Sequence, residues 1–108
     1  MSRWTVVVTE AAERELRALP EDAQARFLYV AEMLEEAGPA EVGMPHVRPL
    51  GGKLWEMRFR GRDGIARAIY FAAAGRRLVV VRVFAKRTRA TPRREIEIAL
   101  RRMAEQVG

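Results

Sequence analysis

Arginine is the residue type whose placement in this sequence points to chemistry. Across residues 53–60 the pattern alternates, so Glu56, Arg58 and Arg60 share one face of a strand and Trp55, Met57 and Phe59 share the other. Two positions along a strand span about 7 Å, which resembles the spacing of successive phosphates along an RNA strand. Lys53 begins the same segment. An exposed amphipathic strand with no ligand has the same pattern. Arg67 stands in an otherwise apolar strand, on the side of Ile65, Ile69 and Phe71. A charge there needs a route to solvent or a partner. It reads equally as an ion-pair partner of Glu56 or of a helix carboxylate, and as a phosphate ligand in a groove. Lys86, Arg87, Thr88 and Arg89 follow the most apolar strand and precede a helix that Thr91 can cap. Helix N-termini favour anions through unpaired N–H groups and the positive end of the dipole. Arg93 and Arg94 in the first turn oppose that dipole, so something other than helix stability selects them: a ligand, or solubility.

Cations can carry one reaction class by themselves. RNA is cut by its own 2′-hydroxyl once the scissile phosphate is held in line and its growing charge is neutralised. Guanidinium groups do this through paired hydrogen bonds. The substrate supplies the nucleophile, and the 2′-hydroxyl makes the site selective for RNA. Two candidates exist for a general base: Glu56, expected to face outward beside Arg58, and Lys86, if arginine neighbours lower its pKa. Other classes drop out. There is no cysteine and one histidine, His46, so thiolate and multi-histidine metal sites are excluded, and no cofactor is expected. No P-loop, dinucleotide loop or Ser-His-Asp set is present.

The formal charge of +6 is unevenly spread. Residues 1–45 carry four Lys/Arg against nine Asp/Glu, and residues 46–108 carry sixteen against five. One half therefore suits a polyanion and the other does not. No apolar run is long enough to span a membrane, and the N-terminus reads as a strand and not as a signal peptide. A single cytoplasmic domain over residues 1–108 is expected.

The elements that must position the arginines follow from periodicity. Residues 3–8 form a strand, and Thr9 caps a helix with Ala12, Leu16 and Leu19 on one face. Pro20 restarts a second helix to about residue 37, whose core stripe is Ala23, Phe27, Val30, Ala31 and Leu34. Residues 38–52, rich in glycine and proline, read as a loop. Strands follow at 53–60, 65–73 and 77–85, the last expected to be central. Tyr70 is expected in the core with its hydroxyl at the edge. Thr91 and Pro92 start a last helix lined by Ile96, Ala99, Leu100, Met103 and Val107. The result is an α+β domain in the order β-α-α-β-β-β-α, with the helical hairpin packed on a mainly antiparallel sheet.

Lys53 to Arg58, Arg67 to Phe71, Phe84 to Thr88, and Thr91-Pro92 with Glu95-Ile96 together resemble the RelE/ParE superfamily of bacterial toxins, and within it the HigB-type, phage Gp49-like branch. That resemblance implies the RelE fold and a toxin of a type II toxin–antitoxin system. Such a toxin is an endoribonuclease that enters the A site of the 70S ribosome and cuts messenger RNA. It implies catalytic roles for Arg58, Arg67, Arg87 and less clearly Glu56, beside the general-base candidate Lys86. Lys53, Arg60, Arg89, Arg93 and Arg94 would bind RNA. It also implies a cognate antitoxin, with a helix-turn-helix DNA-binding domain. Two departures stand out: some members use a tyrosine in the last segment, where the nearby position here is Arg93, and Glu56 stands where RelE has a basic residue. A ParE-like inhibitor of DNA gyrase and a non-catalytic RNA-binding module are the competing readings.

Overall fold

The computed structural model describes residues 3–43, 46–85 and 89–107. The elements are β1 (Thr5–Val8), α1 (Glu10–Arg17), α2 (Glu21–Ala37), β2 (Val47–Gly51), β3 (Leu54–Gly61), β4 (Gly64–Ala73), β5 (Arg77–Ala85) and α3 (Arg93–Val107). They build one five-stranded sheet in the order β1-β5-β4-β3-β2, with β1 parallel to β5 and every other pair antiparallel. The expected α+β fold is borne out, with one strand more than the sequence reading gave.

That extra strand, β2, lies inside the segment read as a loop. It is an edge strand, and an edge tolerates Pro49 because one side of its backbone needs no partner. A register shift between Pro49 and Gly51 breaks the ladder just before the turn into β3.

The helices form where caps and stripes meet. Thr9 caps α1 by accepting from the Ala12 N–H at 3.3 Å, and Glu10 and Glu13 complement the dipole in its first turn. In α2 the whole expected stripe is buried. Gly38 ends α2 at φ +87°, where a side chain would also press on the Trp4 ring. At the other end α2 passes so close to β3 that a Cβ on Gly61 would stand 2.9 Å from that of Ala23.

Both faces of the sheet are covered, as expected for the apolar β5. Under α1 and α2 lie Phe27, Val30, Leu34, Met57, Phe59, Tyr70 and Val80. Under α3 a smaller cluster joins Leu54, Ile69, Phe71, Val79, Val81 and Ala99, with Ile96 and Met103 against it. Leu100 departs from expectation and is 46% exposed, because α3 covers the sheet with a narrow stripe. Tyr70 is fully buried in the first cluster, so its hydroxyl lies inside and not at the edge. Among the described residues no helix is long and apolar enough to cross a membrane.

Candidate nucleic-acid interface

The register of β2, β3 and β4 gathers charge on the α3 face. Arg48 stands opposite Glu56, and Arg58 stands opposite Arg67. Glu56 and Arg67 are therefore diagonal neighbours, within reach of long side chains. Both are buried, at 0% and 1% exposure. The Arg67 guanidinium donates from Nη1 to Glu56 Oε1 at 3.0 Å and lies 2.8 Å from Oε2. Arg48 Nε donates to Glu56 Oε2 at 2.9 Å. The Thr91 hydroxyl donates to Glu56 Oε1. It accepts from Arg67 Nη1 at 2.6 Å and more weakly from Arg48 Nη2 at 3.5 Å. Arg67 Nη2 donates to the Arg89 carbonyl at 2.8 Å. One carboxylate thus binds two arginines, and through Thr91 and Arg89 they fasten the chain entering α3 to the middle of the sheet.

Two expectations change here. Glu56 shares a strand face with Arg58, as the alternation requires, but that face is roofed and the carboxylate does not face outward. Thr91 does not serve as a simple cap: its O–H and both lone pairs are engaged with Glu56, Arg67 and Arg48. Of the two readings of Arg67, its surroundings match the ion pair with Glu56. Burial pulls the Arg67 pKa below its ordinary value, the Glu56 carboxylate opposes this, and the cations Arg48 and Arg58 add to the lowering.

Arg58 differs from Arg67. It is half-buried, and its Nε is buried with no hydrogen-bond partner among the described residues. Like charges directly opposite across a ladder are destabilising, and Arg58 faces Arg67 in that way. Glu56 offsets Arg48 and Arg67, so the cationic excess falls at Arg58. Lys53, Arg60, Arg89, Arg93 and Arg94 are exposed. Lys53 lies in the turn before β3, and Arg93 reaches Glu97 at 3.5 Å. Lys86 and Arg87 lie outside the described residues.

Sequence reasoning missed Arg48, which was hidden by the loop reading. The signal was present: alternating Val47, Arg48, Pro49 and Leu50 run into Gly51-Gly52, a hairpin turn signal before a strand. It also missed a second polar cluster at the margin of β5. There β5 runs past its last partner in β1, Val80 opposite Val8. Glu15 of α1 accepts from the free Val83 N–H at 3.1 Å, from Arg102 at 3.0 Å, and from Arg82. Arg82 also donates to Glu95 at 2.6 Å, and Arg102 donates to the Val81 carbonyl at 2.9 Å. Burial raises the Glu15 pKa, but the Arg102 and Val83 bonds and the two cations outweigh it, and the net shift is downward. Burial works against the Arg82 charge, yet its bonds and charges with Glu95 and Glu15 raise its pKa overall.

A five-stranded, mainly antiparallel sheet with a helical hairpin on one face and a C-terminal helix on the other matches the fold of solved RelE toxins. The toxin–antitoxin complex RelBE2 of Mycobacterium tuberculosis matches with a TM-score of 0.61 at 24% identity, over 80% of this chain and 94% of that one. The archaeal RelE–RelB complex of Pyrococcus horikoshii OT3 matches with a TM-score of 0.54 at 26% identity, over 81% and 98%. A double mutant of the Escherichia coli toxin RelE in its free state matches at 0.58 and 15% identity, over 98% and 99%. No curated protein sequence matches. The chain belongs to the phage-derived, Gp49-like protein family, whose model matches residues 14–104, so the resemblance read from its motifs is borne out.

Proposed function

We propose that this chain is the toxin of a type II toxin–antitoxin pair and cuts messenger RNA in the ribosomal A site. The observation that carries this is the opposition of Arg58 to Arg67, with Arg48 close by and one buried carboxylate for all three. A phosphate seated at Arg58 would relieve that excess of positive charge. The family membership and the two neighbours solved as toxin–antitoxin complexes support the same reading and support an antitoxin as partner.

Arg58, with Lys86 and Arg87 from the segment leading to α3, holds the scissile phosphate and neutralises its charge as the 2′-hydroxyl attacks. Glu56 and Arg67 act through others. Every oxygen of Glu56 is engaged by Arg48, Arg67 or Thr91, so the carboxylate positions those groups and does not take the proton. This favours Lys86 as the base. Lys53, Arg60, Arg89, Arg93 and Arg94 follow the RNA backbone, a role that fixes register without reading sequence. An acidic antitoxin segment fits the same cations.

Primer extension on a defined message in a purified translation system, with and without ribosomes, tests the reading. Cuts that appear only with ribosomes, in register with the A site, are expected; an intact message overturns it. Arg58→Ala should lower the cleavage rate about 10²–10³-fold, the loss typical of one transition-state donor.

A further inference from the structure

Beside Arg58 the sheet opens into a cavity of about 240 Å³ lined by Arg26, Val30, His46, Arg58, Phe59, Arg60 and Ile65. Its origin is topological. The last pair of β3 with β2 is Met57 with Val47, and the Arg58 N–H then reaches the His46 carbonyl at 2.7 Å. From there β3 runs on to Gly61 while β2 has ended. Helix α2 pinches β3 at Gly61 and Ala23, so the space lies between the free margin of β3 and the next turns of α2. Val30 and Phe59 are buried and close it from behind, and half-buried Ile65 gives it an apolar wall. Arg26 and Arg60 are exposed at the mouth, and among the described residues no carboxylate lines the cavity. Arg26 is one of four Lys/Arg in the acidic half of the chain, and it lies 5.0 Å from the centroid of the Tyr29 ring, stacked over it.

An apolar wall beside cations suits a base carrying a phosphate. The volume falls below the range of about 300–1,000 Å³ typical of clefts for drug-sized ligands, so it has room for one base and not for two. We infer that this cavity seats one nucleotide of the message, next to the phosphate held at Arg58. Its base lies against Ile65, in front of the buried Val30 and Phe59, and its own phosphate lies among Arg26, Arg60 and His46. The inference rests on the endonuclease reading and adds a subsite to it. It makes α2, otherwise a core element, a contributor to the choice of cleavage site.

Two measurements test it. In the first, the full chain is titrated with nucleoside 5′-monophosphates, and separately with inorganic phosphate, while the methyl signals of Val30 and Ile65 and the ring signals of Phe59 are followed by NMR. Nucleotide should move them and phosphate alone should not. Equal shifts with both, or none with either, overturn the base seat. In the second, Arg26→Ala and His46→Ala are compared with the parent in ribosome-dependent cleavage. Arg26→Ala should raise the half-saturating toxin concentration about tenfold, as expected for one lost charge-assisted bond, and loosen the nucleotide preference beside the cut. The rate at saturation should stay within about twofold of the parent, because the transition-state donors are elsewhere. Weaker saturation with an unchanged cutting pattern would assign the cavity to ribosomal RNA and overturn the message as its ligand. Nucleotide binding in a chain that cuts no message would keep the subsite and sink the endonuclease reading. Normal cutting by both variants would do the reverse.

Discussion

The two faces of the sheet are built on different principles. Under α1 and α2 the space is filled by carbon: Phe27 meets Phe59 edge to face with centroids 5.6 Å apart, amid Val30, Leu34, Met57 and Val80. Under α3 half of the face is apolar, and the other half holds Arg48, Glu56, Arg58 and Arg67. Hydrophobic packing is non-directional and tolerates change of shape, whereas a buried ion pair is costly to desolvate and depends on geometry. A protein that needed only stability would fill both faces with carbon. The ionic half is explained if a cationic face must be held rigid for a ligand, with Glu56 as the anion that lets arginines pack close together.

Substitutions can break or sharpen that contrast. The largest effect is expected at Glu56. Glu56→Ala leaves Arg67 buried without its counter-ion and should destabilise by about 3–5 kcal/mol in urea unfolding. The double change Glu56→Leu with Arg67→Met should recover much of this loss, because no charge is then stranded. A double variant as unstable as the sum of the singles would mean that the pair is not a unit. On the other face, Phe27→Ala should cost a similar amount, about 3–5 kcal/mol, through cavity formation. This loss should not depend on salt or pH, and no second substitution of charge should restore it.

A smaller effect belongs to the margin of β5. Glu15→Gln should cost about 1–3 kcal/mol at neutral pH by weakening charge-assisted bonds to Arg82 and Arg102. The sign of its pH dependence follows from the shift. The folded-state pKa of Glu15 is depressed, so its contribution is present above the unfolded carboxylate value and is lost as pH falls through the lower folded value. Unfolding curves from pH 7 down to 3 should show a shallower loss in Glu15→Gln than in the parent; parallel curves would remove Glu15 from the account.

The smallest effect is expected at Tyr70, the polar atom left inside the carbon-filled face. Its hydroxyl has no partner among the described residues, and burial raises its pKa. Tyr70→Phe should therefore be neutral or stabilising by about 1 kcal/mol. A loss above that would show that the hydroxyl has a partner.

Much of this was legible in the chain because it depends on local periodicity. The stripe of α2 from Ala23 to Leu34, the cap at Thr9 and the alternation of β3 are set by spacing along one element, and the structure reproduces each. The uneven division of charge marked the C-terminal half as the cationic one. What no local pattern could supply was which side chains meet across elements. The loop reading of residues 38–52 hid β2, and with it Arg48, because Pro49 disqualifies a central strand but not an edge strand.

The sequence by itself determined which residues share a strand face, since that follows from a period of two. Whether such a face meets water or a helix depends on where α3 docks. Glu56 and Arg58 sit two positions apart on one strand, yet only the first is wholly enclosed. The register between β3 and β4 then decides that Arg67 lies within reach of Glu56 while facing Arg58. Pairing register and helix docking are long-range choices fixed by the packing of the whole domain, so the division of one arginine-rich face into a bolted half and an available cation emerges only in the folded molecule.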